Sequence, residues 1–160
     1  MGQSELASAT AEALASGDAA ALILLGRSQS AIQPTFDAIN TKYPKVKVIF
    51  ITVDVCQLYS VRGAADIINK LEVTIDAVVC FPTLMAAPWD TTSDGVEAHF
   101  QVNYLANWVL VNRLVEALGE DARVVMVSSS IRPDAKALMF EDPNFDVCLS
   151  FSFDVSLLLK

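Results

Sequence analysis

A chain of 160 residues with 53% hydrophobic content and a mean hydropathy of +0.43 has the size of one domain and the apolar mass for a sizeable core. A formal net charge of −8 argues against nucleic acid, which rewards clustered Lys and Arg, so no nucleic-acid partner is expected. No apolar run approaches the roughly 20 residues of a spanning helix, and no basic-then-apolar leader opens the chain. A cytoplasmic protein without a membrane partner is predicted.

Cys56, Cys80 and Cys148 are odd in number and far apart, and fit neither a disulfide framework nor a metal motif. His99 is the single histidine, so no metal site is expected. It reads as a first-turn helix residue or a partly buried donor.

In chain order, ELASATAEALAS (5–16) is rich in helix formers and stops at Gly17. Ala19 to Leu25 reads as a buried strand closed by Gly26, Arg27 and Ser28. Ser30 with Gln33 offers a capping box for the next helix, with Pro34 tolerable that early. Lys47 to Val53 is the second strand and ends at Asp54. Val61, Ala64, Ala65, Ile68 and Leu71 mark an amphipathic helix. Asp76 to Phe81 is the third strand, followed by a Pro-containing loop to about Trp89. Thr92 or Ser93 can cap the long helix after that loop.

The organising stretch runs from His99 to Ser130. Phe100, Tyr104, Trp108, Val111, Val115 and Leu118 recur at steps of three and four, which predicts a long helix with that stripe lining a core. Gly119 is the expected stop. Arg123 to Val127 then supplies the apolar run of a strand covered on both faces, delivering Ser128, Ser129 and Ser130 to its carboxyl end. Strands and helices alternate strictly, so the fold class is α/β with a parallel sheet and right-handed crossovers.

These segments, in this order, resemble the short-chain dehydrogenase/reductase family. ATAEALASGDAAALILLGRS is similar to that family's first helix and second strand, and VIFITVDV to its third strand. IDAVVCFPTLMAAPW sits where the family has a strand ending in Asn-Asn-Ala-Gly. FQVNYLANWVLVNRL resembles the helix with the catalytic Asn, and RVVMVSSS the strand with the catalytic Ser. The resemblance implies a Rossmann-like parallel sheet with flanking helices, lacking its first strand and C-terminal part. Residues 1–146 would form a partial NAD(P)-binding domain and 147–160 a divergent apolar tail.

The resemblance also implies roles. Ser129 would hydrogen-bond the substrate oxygen, although a serine triplet also caps turns. Asn103 would hold a water in a proton relay, or be a buried amide satisfied by backbone. Arg27 would pair the 2′-phosphate of NADP, because no Asp or Glu follows until Asp37 to hold the free 2′-hydroxyl of NAD; it could equally be a solvated loop arginine. Asp54 and Val55 would contact the adenine, through a carboxylate and a main-chain N–H, and Cys80 would stand beside the cofactor at the end of the third strand. The partner implied is a small-molecule substrate, and a homo-oligomer could form through the long helix.

Three departures qualify that picture. The glycine-rich turn that cradles pyrophosphate is missing together with the strand before it, which would lie at the centre of the sheet. Cys80-Phe81-Pro82-Thr83 replaces Asn-Asn-Ala-Gly, so an N–H is lost and a branched side chain gained. The Tyr-x-x-x-Lys pair that moves the proton is absent where it should follow residues 140–146. The literal match, Tyr43 to Lys47, contains Pro44 and precedes a strand. The tail instead alternates apolar and polar residues from Val147, a strand pattern. Two readings are open. One is an NADP-dependent oxidoreductase acting on a carbonyl or secondary alcohol of a small organic metabolite, without turnover in this 160-residue form. The other is a non-catalytic Rossmann remnant serving as a binding or oligomerisation module.

Overall fold

Parallel pairing of strands that are consecutive in sequence requires a crossover between them, and both sheets among the described residues are built that way. The computed structural model describes residues 5–81, 84, 85, 87–128 and 141–144. They belong to two units, Met1–Asp54 and Val55–Lys160.

In the first unit, α1 (Glu5–Ser16) leads to β1 (Ala21–Gly26), α2 (Gln29–Lys42) and β2 (Lys47–Thr52). β1 and β2 run parallel and in unbroken register, from Ala21 opposite Lys47 to Gly26 opposite Thr52. The ladder continues as the Val53 N–H donates to the Gly26 carbonyl at 3.0 Å. Ala11, Ala15, Ile39 and Val46 form the core, with Leu22, Leu24, Tyr43 and Val48 packed against it. Small alanines at the buried positions of α1, Ala11 and Ala15, let it pack against α2. Lys42 and Glu12 pair across the two helices. A Cβ at Gly26 would lie 2.7 Å from Ile32 Cδ1, so β1 ends tight beneath α2. Ser28 is the N-cap of α2 but gives it no side-chain bond; its hydroxyl instead meets that of Ser30 at 2.6 Å, so the Ser30–Gln33 capping box does not form.

In the second unit, α3 (Leu58–Asn69) buries Val61, Ala64, Ala65 and Ile68, four of the five positions its periodicity marks. β3 (Ile75–Cys80) pairs in parallel with β4 (Leu118–Met126), from Ala77 opposite Arg123 to Cys80 opposite Met126. Between the Ile75–Leu118 and Ala77–Arg123 pairs, β4 carries extra residues in a bulge. α3 packs on α5 (Ala106–Arg113). There Arg113 meets Asp66 at 2.7 Å, and Asn69 Nδ2 donates to the Arg113 carbonyl at 3.0 Å.

The α/β class and parallel pairing hold. Among the described residues the strands form two two-stranded sheets, β1–β2 and β3–β4.

The long helix differs from its expected form. It begins as α4 (Ala98–Phe100), widens into a π-helical turn (Gln101–Leu105), continues as α5 and ends in a 3-10 turn (Val115–Ala117). Half of the expected stripe lies outside, Tyr104 and Trp108 each 52% exposed and Val115 54% exposed, while Phe100, Val111 and Leu118 are half-buried. The buried residues are Val102, Ala106, Leu110 and Leu114, spaced by four. A small residue, Ala106, and aliphatic ones suit contact with the small-residue face of α3 better than aromatic rings do. Gly119 is not the stop but lies within β4. Val124, Val125 and Met126 are 43%, 44% and 45% exposed, so β4 is not covered on both faces as its apolar run predicts.

Candidate functional site

The π-helical turn is the local feature from which the site in the second unit is built. Its defining bond runs from the Ala106 N–H to the Gln101 carbonyl, five residues back. Asn107 Nδ2 donates to the carbonyls of Val102, at 3.2 Å, and Asn103, at 3.3 Å, supporting the widened turn.

Asn103 sits at the middle of that turn and is half-buried. Its side chain pairs with the main chain of Leu84 in both directions: Nδ2 donates to the carbonyl at 2.8 Å, and Oδ1 accepts from the N–H at 2.9 Å. The segment after β3 is thereby pinned to the helix. Its amide group is satisfied by backbone, as a half-buried Asn requires.

Gln101 is fully buried at the start of the same turn. Its Nε2 donates to Asp94 Oδ2 at 2.9 Å and, in a longer bond, to the Val55 carbonyl at 3.4 Å. Its Oε1 accepts from the Thr92 hydroxyl at 2.6 Å. Asp94 Oδ2 also accepts from the Leu58 N–H at 2.8 Å, capping α3, whose own N-cap Gln57 gives it no side-chain capping bond. Thr92 therefore does not cap the long helix. Glu97 does, its Oε2 accepting from the Phe100 N–H at 2.7 Å. Glu97 Oε1 also meets His99 Nδ1 at 2.7 Å, and both residues are buried. His99 Nε2 is buried with no hydrogen-bond partner among the described residues.

Asn144 closes this end of the unit. Its Oδ1 accepts from the Glu97 N–H at 3.0 Å, its Nδ2 donates to the Gly95 carbonyl at 3.2 Å, and its carbonyl accepts from Trp89 Nε1 at 2.9 Å. Gly95, at φ +74°, makes the turn that brings Asp94 and Glu97 to their partners.

Cys80 ends β3, buried, and its carbonyl accepts from the Val127 N–H at 3.0 Å. Burial pushes its thiol above the ordinary value of 9.0. Val55 is half-buried at the start of the segment leading to α3. In the first unit, Arg27 is exposed just beyond β1 beside the Ser28–Ser30 hydroxyl pair, and Asp54 is half-buried two residues after β2. Ser129 lies outside the described residues, as do Ser130, Pro82, Thr83, Cys148 and the 147–160 tail; Ser128 is exposed after β4. Tyr43 caps the C-terminus of α2 whereas Lys47 opens β2, so their literal Tyr-x-x-x-Lys spacing does not place them on one helix. Among the described residues no cluster of His, Cys, Asp and Glu could hold a metal ion, and no helix is long and apolar enough to cross a membrane.

Asn103, Val55 and Cys80 were singled out in the sequence and lie in this unit, whereas Gln101, Asp94, Glu97 and Asn144, which tie it together, were not. The signal for Glu97 was present: an acid three residues before Phe100 at a helix start. Gln101 is a polar residue next to buried Val102, a clue of the same kind as Asn103. Asn144 carries none, because its bonds span 47 to 55 residues.

No family model matches the chain. It is 34% identical over 110 residues to the WW domain-containing oxidoreductase of Homo sapiens, covering 68% of this chain and 27% of that protein. It is 33% identical over 93 residues to the short-chain dehydrogenase/reductase drtF of Aspergillus calidoustus, covering 58% of this chain and 28% of that protein. Among solved structures, an uncharacterized protein from Mycobacterium paratuberculosis superposes with a TM-score of 0.77 at 28% identity, over 98% of this chain and 52% of that one. An alcohol dehydrogenase from the archaeon Thermococcus sibiricus, complexed with 5-hydroxy-NADP, superposes with a TM-score of 0.60 at 17% identity, over 87% of this chain and 57% of that one; at that identity it speaks to the fold alone. The chain thus spans little more than a quarter of these two curated relatives and about half of these solved chains. The order of elements, the parallel strands and these likenesses place it in the short-chain dehydrogenase/reductase family.

Proposed function

We propose that the chain carries the NADP-binding part of an oxidoreductase acting on a carbonyl or secondary alcohol of a small organic metabolite. The observation that carries this is the two-way bond between Asn103 and Leu84. It fixes the segment after β3 against the helix at the position where the family resemblance expects its catalytic Asn. With its side chain committed to Leu84, Asn103 would serve as a positioning residue.

The residues at the adenosine end are chemically suited to NADP. The Arg27 guanidinium is exposed, and Ser28 and Ser30 add hydroxyls next to it, a donor set suited to a 2′-phosphate. Asp54 and the Val55 N–H would meet the adenine, Cys80 would stand near the nicotinamide ribose, and Ser129 would orient the substrate oxygen. When bound, the dinucleotide supplies or accepts the hydride. This chain's residues would then bind and orient; moving the proton needs the Tyr/Lys pair, which they do not supply. No turnover is therefore expected from the 160 residues alone.

The test is a titration with NADPH and NADH, repeated for Arg27→Ala. Preference for NADPH, lost in the variant, supports the reading; equal binding of both by the parent chain overturns the NADP assignment. A second reading, a non-catalytic binding or oligomerisation module, is favoured by the exposure of Val124, Val125 and Met126 on β4. Self-association without dinucleotide binding would support it.

A further inference from the structure

Gln101 and Asp94 lie behind Val55, the residue proposed to meet the adenine, and the cofactor reading gives neither of them a role. Gln101 is fully buried within a helix, where an amide must satisfy both of its ends. It does so by reaching out of the helix: to Thr92 and Asp94 on the preceding turn, and to the carbonyl of Val55. Asp94 holds the Leu58 N–H through the same oxygen that accepts from Gln101. Two points of the segment 55–58, the Val55 carbonyl and the Leu58 N–H, are thus tied to one buried amide. Asn103, two residues further along, holds Leu84. Residues two apart on a helix face different sides, so one π-helical turn clamps two separate segments.

We infer that Gln101, acting through Asp94, is a positioning residue for the adenine end of the dinucleotide, fixing the Val55–Leu58 segment in its binding conformation. This rests on the cofactor reading above. A peptide unit held from behind before the ligand arrives spares the ordering cost of binding, so loosening it weakens affinity without removing any ligand contact.

The probe is adenosine 2′,5′-bisphosphate, which carries the adenine and 2′-phosphate but no nicotinamide. Its Kd is measured calorimetrically for the full chain, Gln101→Leu, Asp94→Ala and Asp66→Ala, with urea unfolding of each in parallel. Asp66→Ala breaks the Arg113 bridge elsewhere in the unit and controls for loss of stability alone. Expected are Kd values raised about tenfold in Gln101→Leu and Asp94→Ala, and unchanged in Asp66→Ala. Should Gln101→Leu fail to fold, Asp94→Ala, at an exposed position, carries the test. Parent-like affinity in Asp94→Ala and in any folded Gln101→Leu, or an equal loss in Asp66→Ala, overturns the inference while leaving the cofactor reading intact. No binding by the parent chain overturns both.

Discussion

Asn103 and Leu84 exchange two hydrogen bonds, side chain to main chain, across 19 residues of sequence. Removing that side chain strands a partly buried N–H and carbonyl at once. Asn103→Ala is expected to lower unfolding free energy by about 2–4 kcal/mol, because an unsatisfied buried polar group costs about 1–3 kcal/mol. Asn103→Asp keeps the acceptor and loses the donor, so it should fall between parent and Ala. Urea denaturation of the three proteins checks the order.

Glu97 has two tasks from a fully buried position: it caps the helix at Phe100 and meets His99. Losing a cap costs about 1 kcal/mol, and leaving His99 Nδ1 without its partner adds about 1–3 kcal/mol. Glu97→Ala should therefore be among the most damaging substitutions in the second unit. Its effect on the unfolding midpoint should exceed that of Asp94→Ala, whose carboxylate is exposed.

Cys80 sits where the thiol form is favoured. Burial raises its pKa in the fold, so the unfolded chain releases that proton first as pH climbs past 9.0. The contribution to stability is whole below that point and is lost as pH rises through the folded value. Alkaline destabilisation should begin near pH 9 and be reduced in Cys80→Ala, once the constant cost of that substitution is subtracted. At pH 7.5 an alkylating reagent should label half-buried Cys56 ahead of Cys80. Peptide mapping by mass spectrometry reads this directly.

Glu72 follows α3 with a φ of +51°, a left-handed geometry that suits glycine. Glu72→Gly should raise stability by up to about 1 kcal/mol, because the Cβ penalty there is about 1–2 kcal/mol and glycine's greater unfolded freedom offsets part of it. A lower melting temperature would contradict the assignment of strain to this position.

Periodicity revealed what depends on neighbours in sequence. The strands, the α3 stripe of Val61, Ala64, Ala65 and Ile68, and the alternation behind the α/β class were all legible. The long helix was misjudged because hydrophobicity alone chose its inner face. Aromatic Tyr104 and Trp108 outweigh Ala106 on any apolar scale, yet the smaller residue is the buried one. The π-helical turn also resets the phase after Gln101, which no fixed period of 3.6 anticipates. The polar clamp was hidden for another reason. Leu58 with Asp94, and Glu97 with Asn144, are partners 36 and 47 residues apart, and such pairing is decided by the fold.

Thermal unfolding of the purified chain with and without saturating NADPH tests most directly whether these residues form a dinucleotide-binding part of an oxidoreductase. A ligand that binds only the folded state must stabilise it, by about 2.7 kcal/mol at a hundredfold excess over Kd. A cooperative transition that moves upward with NADPH, and less with NADH, is the predicted result. A transition indifferent to NADPH at any concentration would contradict the account.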